Sequence, residues 1–546
     1  MTTTTLAQLY EKPILANWDN LAFSDFDGGD YKYGEVAEII KSLQLYYQVS
    51  GIKKGDKVAI LGRNSAHWGI TFLSVLTSGA IIVPVLPDFS VADTNHILSH
   101  SESKIVFVQK SLLNKIDLQK VTGVETVIIL DNFTVHTSSD PDAATKLADA
   151  FAYYKKNIGA VKALGFYQWD REDCCIISYT SGTSGFTKGV MIPERSLVSN
   201  IIYAQENMPL EPDHKIVSFL PMAHVYGLLF EFLFPVTLGC HISFLAKTPS
   251  PQVITQAFGK VKPHLILSVP LIIEKIYKKR ILPTLEKPVM RVALAIPGIS
   301  GMILKKVREK LMETFGGRFF EIVIGGAPLS ADVEKFFKRI YFPITVGYGM
   351  TECGPLISYA AWNKTMPTSA GRMVDRMEMR IESEDPCKVV GEIQVKGDNV
   401  MLGYFKNEQA TKEAFTEDGW LRTGDLGITD ANQFIYIRGR SKNMILGPSG
   451  QNIYPEEIEA KLTNLHYVAE CVVVDRNHKL VALVYPDYEA MKADNIEDDQ
   501  LPQLMEENLK KLNHELPKYE NVTEIQLVKE EFEKTPKKNI KRFKYM

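Results

Sequence analysis

Short apolar strand patterns alternate with helical patterns through the first half of the chain, and this alternation most strongly limits the fold. The helical patterns cover Tyr33–Val49 and the region near 68–77, and the strand patterns cover 58–61, Ile81–Val85 and 105–108. Strand–helix–strand order favours parallel sheets with crossover helices. We therefore predict an α/β fold whose large N-terminal domain layers β-sheets with helices. The weakly periodic residues 131–173 are expected to form a surface excursion.

The pattern changes near residue 391 and predicts a second unit. Short strand patterns separated by turns follow, at 392–395, 434–437 and 472–474. Pro455–Leu462 has the pattern of a helix with acidic residues in its first turn, where they suit the helix dipole. We expect a small C-terminal α+β domain over residues 441–546, after a large domain over residues 1–440.

The composition excludes several classes of protein. The chain has 546 residues, 45% hydrophobic and 23% charged, with a formal net charge of −3. These proportions exclude collagen, low-complexity disorder and a disulfide-stapled mini-protein, and near-neutral charge argues against a nucleic-acid partner. The cysteines are sparse and form no Cys-x-x-Cys pair, and the N-terminus lacks a signal-peptide pattern. We therefore expect a cytoplasmic protein.

Two features bear on membranes. Residues 69–87 are uncharged over about the length of a bilayer span, but Gly79 and Pro84 interrupt them and predict a buried helix followed by a buried strand. Residues 216–246 are likewise interpreted as interior, with the capacity to line an apolar pocket. The basic tail, 534–544, is either solvated or in peripheral contact with anionic membrane lipids.

A loop rich in glycine and hydroxyl residues, at 178–190, directly follows an apolar strand pattern. Exposed backbone N–H groups, hydroxyls and the Lys188 ammonium form the chemistry of a phosphate cradle. The spacing excludes a Walker-type kinase loop, because Thr187 stands where the second glycine should be. The candidate phosphate ligands are Thr180, Ser181, Gly182, Thr183, Ser184, Thr187 and Lys188.

This loop resembles the phosphate loop of the AMP-forming adenylating enzymes, which include acyl-CoA synthetases, luciferases and peptide-synthetase adenylation domains. Further motifs follow in the family's order over nearly the whole chain. Residues 443–458 look most like the long-chain fatty acid–CoA ligases. The resemblance implies a ligase that uses ATP, Mg²⁺ and CoA.

Two more glycine loops carry candidate nucleotide ligands. Gly325-Gly326-Ala327-Pro328 would let a flat ligand approach the backbone. In the next loop, Tyr348 can stack on a base, Thr351 can hydrogen-bond a phosphate, and Glu352 can hold Mg²⁺, which prefers oxygen ligands. The resemblance implies that adenine lies between the segment from Gly326 to Pro328 and Tyr348. It gives Thr351 and Glu352 catalytic roles beside Lys188.

Asp425, which stands beside a glycine, is a candidate ribose ligand because a carboxylate can accept two hydroxyl donors; a structural Asx turn is the alternative. The resemblance implies that Asp425 binds both ribose hydroxyls and that Arg440 assists. It makes Lys442 the hinge about which the small domain swings between adenylation and thioester formation. It also presents Gly450 to the active site in the second state.

His224 lies in an apolar run, where a lone histidine is usually a satisfied core residue. The resemblance places His224 beside the carboxylate substrate, and Gly325 and Val346 are further candidate substrate contacts. The apolar residues that follow fit an acyl tail or an ordinary core equally well; these are Leu228, Leu229, Phe230, Phe232 and Phe234.

The C-terminal signature departs from the family's pattern. The family carries a catalytic lysine directly before an isoleucine, whereas Asn539 precedes Ile540 here. That lysine stabilises charge in the transition state, and removing one such donor typically costs about 10²–10³ in rate. Three explanations stay open: Lys538 supplies the ammonium after a one-residue shift, adenylation is slow, or the chain carries a natural or engineered change.

We expect an acid–CoA ligase that converts a medium- or long-chain fatty acid, ATP and CoA to acyl-CoA, AMP and pyrophosphate through an acyl-adenylate. One alternative is a fatty acyl-AMP ligase that loads a carrier protein. Another is a catalytically impaired homologue that binds acyl groups or nucleotides. The acyl chain length and the oligomeric state do not follow from the sequence.

Overall fold

The structure is a computed structural model that describes residues 4–181, 187–246, 250–285, 287–296, 298–447, 451–477, 479–535 and 540–546. Its largest sheet has eight strands. In spatial order these are Gly403–Tyr404, Thr187–Pro193, Cys174–Ser181, Ile81–Val85, Lys57–Leu61, Ser103–Val108, Thr126–Ile129 and Thr134–Ser138. The five strands from Cys174–Ser181 to Thr126–Ile129 run parallel, and the outer pairs are antiparallel.

Four further sheets complete the part of the chain before residue 441. A mostly parallel sheet contains Lys215–Ser218, His241–Phe244, Leu21–Asp25 and Asp30–Lys32, and a parallel one contains Leu265–Ser268, Glu321–Ile324 and Ile344–Val346. Two antiparallel sheets follow: Tyr348–Gly349, Leu356–Tyr359 and Arg372–Met373; then Met377–Glu382, Gly391–Gly397, Leu421–Thr429 and Ile435–Arg440.

Helices cover these sheets. The α-helices are Leu6–Ala16, Tyr33–Val49, Ala66–Leu76, Val91–Ser101, Ala143–Lys156, Ile158–Val161, Glu194–Asn207, Val225–Gly227, Phe234–Val236, Pro251–Val261, Pro270–Ile276, Leu282–Leu285, Pro288–Ala295, Ile299–Thr314, Ala331–Arg339, Glu408–Ala414, Pro455–Leu462, Tyr488–Ala493 and Leu501–Glu515. Two π-helical segments are Leu228–Leu233 and Tyr277–Ile281. Short 3₁₀ turns are Lys110–Lys115, Thr351–Cys353, Ser441–Asn443, Asp498–Gln500, Lys518–Glu520 and Arg542–Lys544.

The predicted α/β class is confirmed, and the strongest patterns have close to the expected bounds. The uncharged stretch 69–87 divides as expected into the buried end of Ala66–Leu76 and the strand Ile81–Val85. Ser65 begins that helix, because its hydroxyl accepts a hydrogen bond from the Trp68 N–H at 3.1 Å. Within the described residues, no single helix is both long and apolar enough to cross a bilayer.

The expected surface excursion over residues 131–173 was wrong in part. Thr134–Ser138 pairs with Thr126–Ile129 as the edge of the large sheet. Ala143–Lys156 packs beside Tyr33–Val49, with the Lys41 ammonium 6.0 Å from the centre of the Tyr154 ring. Most of the apolar residues of this helix are alanines, which give a weak helical pattern, yet three residues, Ala143, Leu147 and Ala150, are buried.

The buried apolar residues form one large cluster from Leu6 to Ile435 and two smaller clusters from Ile453 to Phe532. The smaller clusters lie around a three-stranded sheet and its helices. The strands of this sheet are Val468–Asp475, Leu480–Pro486 and Val522–Leu527. A two-stranded pair, Ile445–Leu446 and Asn452–Ile453, comes before it in the chain. The division into residues 1–440 and 441–546 stays a prediction. It falls between the large cluster and the smaller ones.

Candidate active site

Lys188 and Glu352 are brought together by a third residue, Tyr404. Lys188 lies opposite Thr180 in the strand pair that flanks the glycine-rich loop. On the other side of its strand, Tyr404 pairs with Val190. The Lys188 ammonium is 4.8 Å from the centre of the Tyr404 ring, and the Tyr404 hydroxyl donates a hydrogen bond to Glu352 Oε1 at 2.9 Å. A cation therefore faces an aromatic ring whose hydroxyl holds a carboxylate.

Tyr404 was missed by the sequence analysis. Its only local signal is the glycine before it, Gly403, whose φ is +144°. At Gly403 the chain begins a short edge strand that pairs beside Thr187–Pro193. The contact with Glu352 joins this edge strand to a loop 52 residues earlier in the chain, so residue spacing could not reveal it.

Close backbone packing fixes the loop that carries Tyr348, Thr351 and Glu352. The Met350 N–H donates to the Pro355 carbonyl at 2.9 Å, and the Met401 N–H donates to the Glu352 carbonyl at 2.8 Å. A Cβ on Gly349 would lie 2.2 Å from the Pro355 oxygen, so only glycine fits there. Thr351 is buried in the short turn that follows.

Tyr348, Asp425 and Arg440 form a second charged group. The Tyr348 hydroxyl donates to Asp425 Oδ2 at 2.6 Å, and Arg440 Nε lies 2.7 Å from Oδ1. Asp425 and Arg440 are cross-strand neighbours, which places the guanidinium over the carboxylate. Burial raises the pKa of Asp425, and Arg440 and Tyr348 oppose that rise. The structure thus orients the Asp425 carboxylate through both oxygens, and Tyr348 contacts it through its hydroxyl.

The segment Gly325–Pro328 lies next to the Tyr348 loop, because the Gly347 N–H donates to the Ile324 carbonyl at 2.8 Å and Ile324 pairs with Val346. Gly326 has a φ of +87°, which favours glycine, and a Cβ there would meet nothing. Gly326, Ala327 and Pro328 are exposed, whereas Gly325 is buried. The exposed backbone from Gly326 to Pro328 therefore borders Tyr348, where adenine is predicted to lie.

The region after His224 is mostly core. Leu228, Leu229, Phe230, Phe232 and Phe234 are all buried. The Phe232 ring lies 5.7 Å from Phe23 and 6.1 Å from Phe72, so it belongs to the general core. From the sequence, these residues fitted an ordinary core or an acyl tail equally well. The structure places Phe232 in the core.

Tyr226, which the sequence analysis did not single out, connects this region to Gly325. Its hydroxyl donates to the Val323 carbonyl at 3.1 Å, and a Cβ on Gly325 would lie 2.9 Å from the ring. The buried Glu231 carboxylate accepts the N–H groups of Phe219 and Leu220 at 3.0 and 2.9 Å. These contacts fix both ends of the turn that contains the half-buried His224.

Some predicted residues cannot be placed. Gly182, Thr183, Ser184, Gly450, Lys538 and Asn539 lie outside the described residues, and Ser181 is described only as the end of its strand. Lys442 is exposed in the turn Ser441–Asn443. The roles assigned to all these residues stay predictions.

The residues that are described fit a magnesium nucleotide. Thr187 Oγ1 is buried and receives no hydrogen bond from any described residue, and Lys188 has no ion pair within the same ranges. A buried hydroxyl and an ammonium that no described carboxylate neutralises, both at the base of the loop, suit a phosphate. Carboxylate oxygens such as those of Glu352 are the ligands that Mg²⁺ prefers.

Solved structures with the same fold include ATP-bound MatB from Rhodopseudomonas palustris, which is 23% identical with a TM-score of 0.76 over 99% of this chain and 98% of that one. The anthranilate CoA ligase AuaEII in complex with anthranoyl-AMP is 19% identical, with a TM-score of 0.78 over 99% and 96%. These likenesses show the fold.

Relatives identified by sequence carry names of fatty acid ligases. Long-chain-fatty-acid–CoA ligase FadD15 of Mycobacterium bovis is 29% identical over 85% of this chain and 78% of its own length. Long-chain-fatty-acid–CoA ligase 1 of Saccharomyces cerevisiae is 27% identical over 79% and 68%.

Family comparison covers both parts of the chain. The sequence model of the AMP-binding enzymes matches residues 11–405, and that of the AMP-binding enzyme C-terminal domain matches residues 442–546. Together they include the motifs described above except Asp425 and Arg440, which lie between the two matched ranges. The chain belongs to the AMP-binding enzyme family.

Proposed function

We propose that this protein is an AMP-forming acid–CoA ligase that acts on medium- or long-chain fatty acids. The observation that carries the proposal is the pair of neighbouring charged groups, Lys188–Tyr404–Glu352 and Tyr348–Asp425–Arg440, in a chain of this family. The first group suits the phosphates and Mg²⁺ of a nucleotide, and the second suits its ribose. The fatty acid assignment is supported by the names of relatives that are 27–29% identical.

In the proposed first step, a carboxylate oxygen of the fatty acid attacks the α-phosphorus of ATP, and the bond to the pyrophosphate oxygen breaks. The acid is already ionised and nucleophilic, so no general base is required. Lys188 and the loop N–H groups would hold the phosphates, and Asp425 would hold the ribose. Mg²⁺ bound at Glu352 would offset phosphate charge, so fixed positive charge and positioning supply the catalysis.

In the second step, the CoA thiolate attacks the acyl carbonyl carbon, and AMP leaves with the bonding electron pair. The family resemblance assigns this step to a second arrangement of the small domain, reached by rotation at Lys442. In that arrangement Gly450 would face the site. Movement of a domain about a few hinge residues is common in enzymes.

Product analysis tests the proposal. The protein is incubated with MgATP, CoA and a mixture of fatty acids from short to long chains, and the products are identified by mass spectrometry. We expect acyl-CoA and AMP in equal amounts, with the acyl length showing the preferred acid. Lys188→Met should abolish both products, whereas Lys215→Met, another half-buried strand lysine, should form them at the wild-type rate.

The same experiment separates the alternatives. Acyl-adenylate without acyl-CoA would favour transfer to a carrier protein, and adding a phosphopantetheinylated carrier should then restore turnover. Nucleotide binding without ATP consumption for any acid would contradict the ligase and favour a binding protein, in line with Asn539 at the usual lysine position.

A further inference from the structure

Two consecutive helices expose a row of apolar side chains. They are Pro288–Ala295 and Ile299–Thr314, which meet at a bend of 117° and lie between the strands Leu265–Ser268 and Glu321–Ile324. Exposed fractions of 82% for Val289, 64% for Val292 and 62% for Met302 are high for such residues. Ile296 and Ile299 are exposed as well. We call these five side chains the apolar face.

The opposite side of the longer helix is anchored to the protein. Leu311 is buried, and Leu304 and Val307 are partly buried against the main core. These residues recur at three- and four-residue spacing, which is one face of a helix. The apolar face therefore belongs to a helix pair whose longer member presents one side inward and another outward. A row of neighbouring exposed apolar side chains of this kind marks an interaction surface.

Basic residues are frequent in the segment that carries the apolar face. Residues 287–310 contain six basic residues and one acidic residue, in a chain whose net charge is −3. The cations are Lys287, Arg291, Lys305, Lys306, Arg308 and Lys310, all of them exposed, and the acid is Glu309. An excess of cations beside apolar side chains is typical of helices that lie in the headgroup region of an anionic bilayer.

We propose that this helix pair docks the protein on an anionic lipid bilayer, with the apolar face inserted among the headgroups and the lysines on lipid phosphates. A second copy of the chain is the less favourable occupant, because two such faces would bring their net positive charges together. The basic tail is also less suitable. In the structure Lys541 pairs with Glu533 at 2.7 Å and Arg542 pairs with Glu459 at 2.6 Å.

The proposal goes beyond the proposed function and stands without it. If the protein is a fatty acid ligase, a membrane contact at this helix pair would be useful. The chain passes directly from the helix pair through Glu321–Ile324 to the candidate substrate residue Gly325. Long-chain fatty acids partition into membranes. A ligase held at the bilayer would meet its substrate there.

Vesicle sedimentation tests the proposal without ATP or substrate. The full-length protein is mixed with vesicles of phosphatidylcholine and phosphatidylglycerol in equal parts, or with vesicles of phosphatidylcholine alone. We expect strong binding to the anionic vesicles only, weakened by salt. Lys305→Glu with Lys306→Glu should lower the partition coefficient by about 25-fold or more, because each surface cation contributes roughly fivefold.

Matched variants separate the surface from general effects. Val292→Glu with Ile296→Glu should lose binding, whereas Val389→Glu, at a site of similar exposure, should not. Lys510→Glu with Lys511→Glu, an adjacent exposed pair on another helix, and Lys541→Glu with Lys544→Glu in the tail should bind as the wild type does. Unchanged melting midpoints would show that each variant is folded.

Three outcomes would overturn the proposal: equal binding to both kinds of vesicle, loss of binding only in the tail variant, or a concentration-dependent dimer that Val292→Glu with Ile296→Glu abolishes. Acyl-CoA formation from medium- and long-chain fatty acids is measured separately, in the absence of vesicles. An inactive protein that still binds anionic vesicles would contradict the proposed function alone.

Discussion

Tyr404 joins two side chains for which the sequence suggested separate roles. Its ring faces the Lys188 ammonium and its hydroxyl holds one oxygen of Glu352. We interpret it as a positioning residue that fixes the direction of the Glu352 carboxylate toward a metal and keeps Lys188 beside the loop. A hydrogen bond to a charged group is worth about 1.5–3 kcal/mol.

Tyr404→Phe keeps the ring and removes the hydroxyl. We expect the Mg²⁺ concentration for half-maximal activity to rise by roughly tenfold, while metal-free AMP binding, measured by calorimetry, stays within twofold of wild type. Tyr436→Phe is the control, because it removes the hydroxyl of a different tyrosine, which donates to Asp430 and not to Glu352. Equal loss of metal-free AMP binding in Tyr404→Phe would show a general structural role instead.

Glu321 gives a prediction about stability and pH. It is buried at the start of its strand, where the Tyr359 hydroxyl and the Trp362 N–H donate to its carboxylate. Burial raises its pKa from 4.5 to about 7. The folded chain therefore holds this proton more tightly than the unfolded chain, so stability falls as pH rises from about 4.5 to about 7. Over that pH interval, the free energy of unfolding falls by about 3 kcal/mol.

Glu321→Gln removes this titration while retaining the shape of the side chain. Between pH 5 and pH 7.5, the melting midpoint of the wild type should fall by several degrees more than that of Glu321→Gln. The comparison uses calorimetry at low salt. Parallel pH curves for the two proteins would show that Glu321 does not titrate in this range.

At the scale of elements, tight loops hold the candidate nucleotide residues at strand ends. The loop after Ile344–Val346 is the tightest, because any side chain at Gly349 would overlap the Pro355 carbonyl. Gly349→Ala should displace Tyr348 and Thr351 together and lower nucleotide affinity by at least tenfold. Equilibrium binding of fluorescent AMP measures this.

Gly259→Ala is the matched control for Gly349→Ala. Gly259 lies in the helix Pro251–Val261, and its added Cβ would meet no atom within 4 Å. Alanine is favoured over glycine in a helix by about 1 kcal/mol. The control should therefore bind AMP normally and melt slightly higher than wild type. Normal AMP binding by Gly349→Ala would contradict the described loop.

Many of the helices and strands could be predicted from the sequence. Tyr33–Val49 and Ile81–Val85 have strong apolar periodicity and occur as predicted. Ala143–Lys156 was missed because its buried side is made of alanine and one leucine, which give little contrast. The glycine motifs marked their loops, but the contact between Tyr404 and Glu352 needs a sheet edge and a loop from distant parts of the chain. Local patterns carry no information about such pairs.

At the scale of the molecule, several hydrogen bonds within the described residues join the parts of the chain before and after the predicted boundary, and two of them lie near Gly325–Pro328. Asn464 Nδ2 donates to Ser330 Oγ at 2.6 Å, and the half-buried Lys278 ammonium donates to the Thr463 carbonyl. Both contacts join the end of Pro455–Leu462 to elements beside Gly325–Pro328. They define one arrangement of the two parts, and the proposed hinge at Lys442 would exchange it for another.

The Lys538→Ala variant tests whether the C-terminal tail takes part only in adenylation. Lys538→Ala should slow adenylation by about 10²–10³, as expected for loss of one charge-stabilising donor, with Lys537→Ala as the neighbouring control. Thioester formation from chemically synthesised acyl-AMP should change by less than twofold, because the small domain has then rotated. Equal slowing of both half-reactions would contradict the two-state account.

The most direct test of the central claim follows oxygen from the acid. The protein is given MgATP, CoA and a fatty acid labelled with ¹⁸O in both carboxylate oxygens, and the nucleotide product is analysed by mass spectrometry. The account predicts AMP that carries one ¹⁸O atom, because the carboxylate oxygen bonds to the α-phosphorus and stays there when CoA displaces AMP. ADP as the product, or AMP without the label, would contradict it.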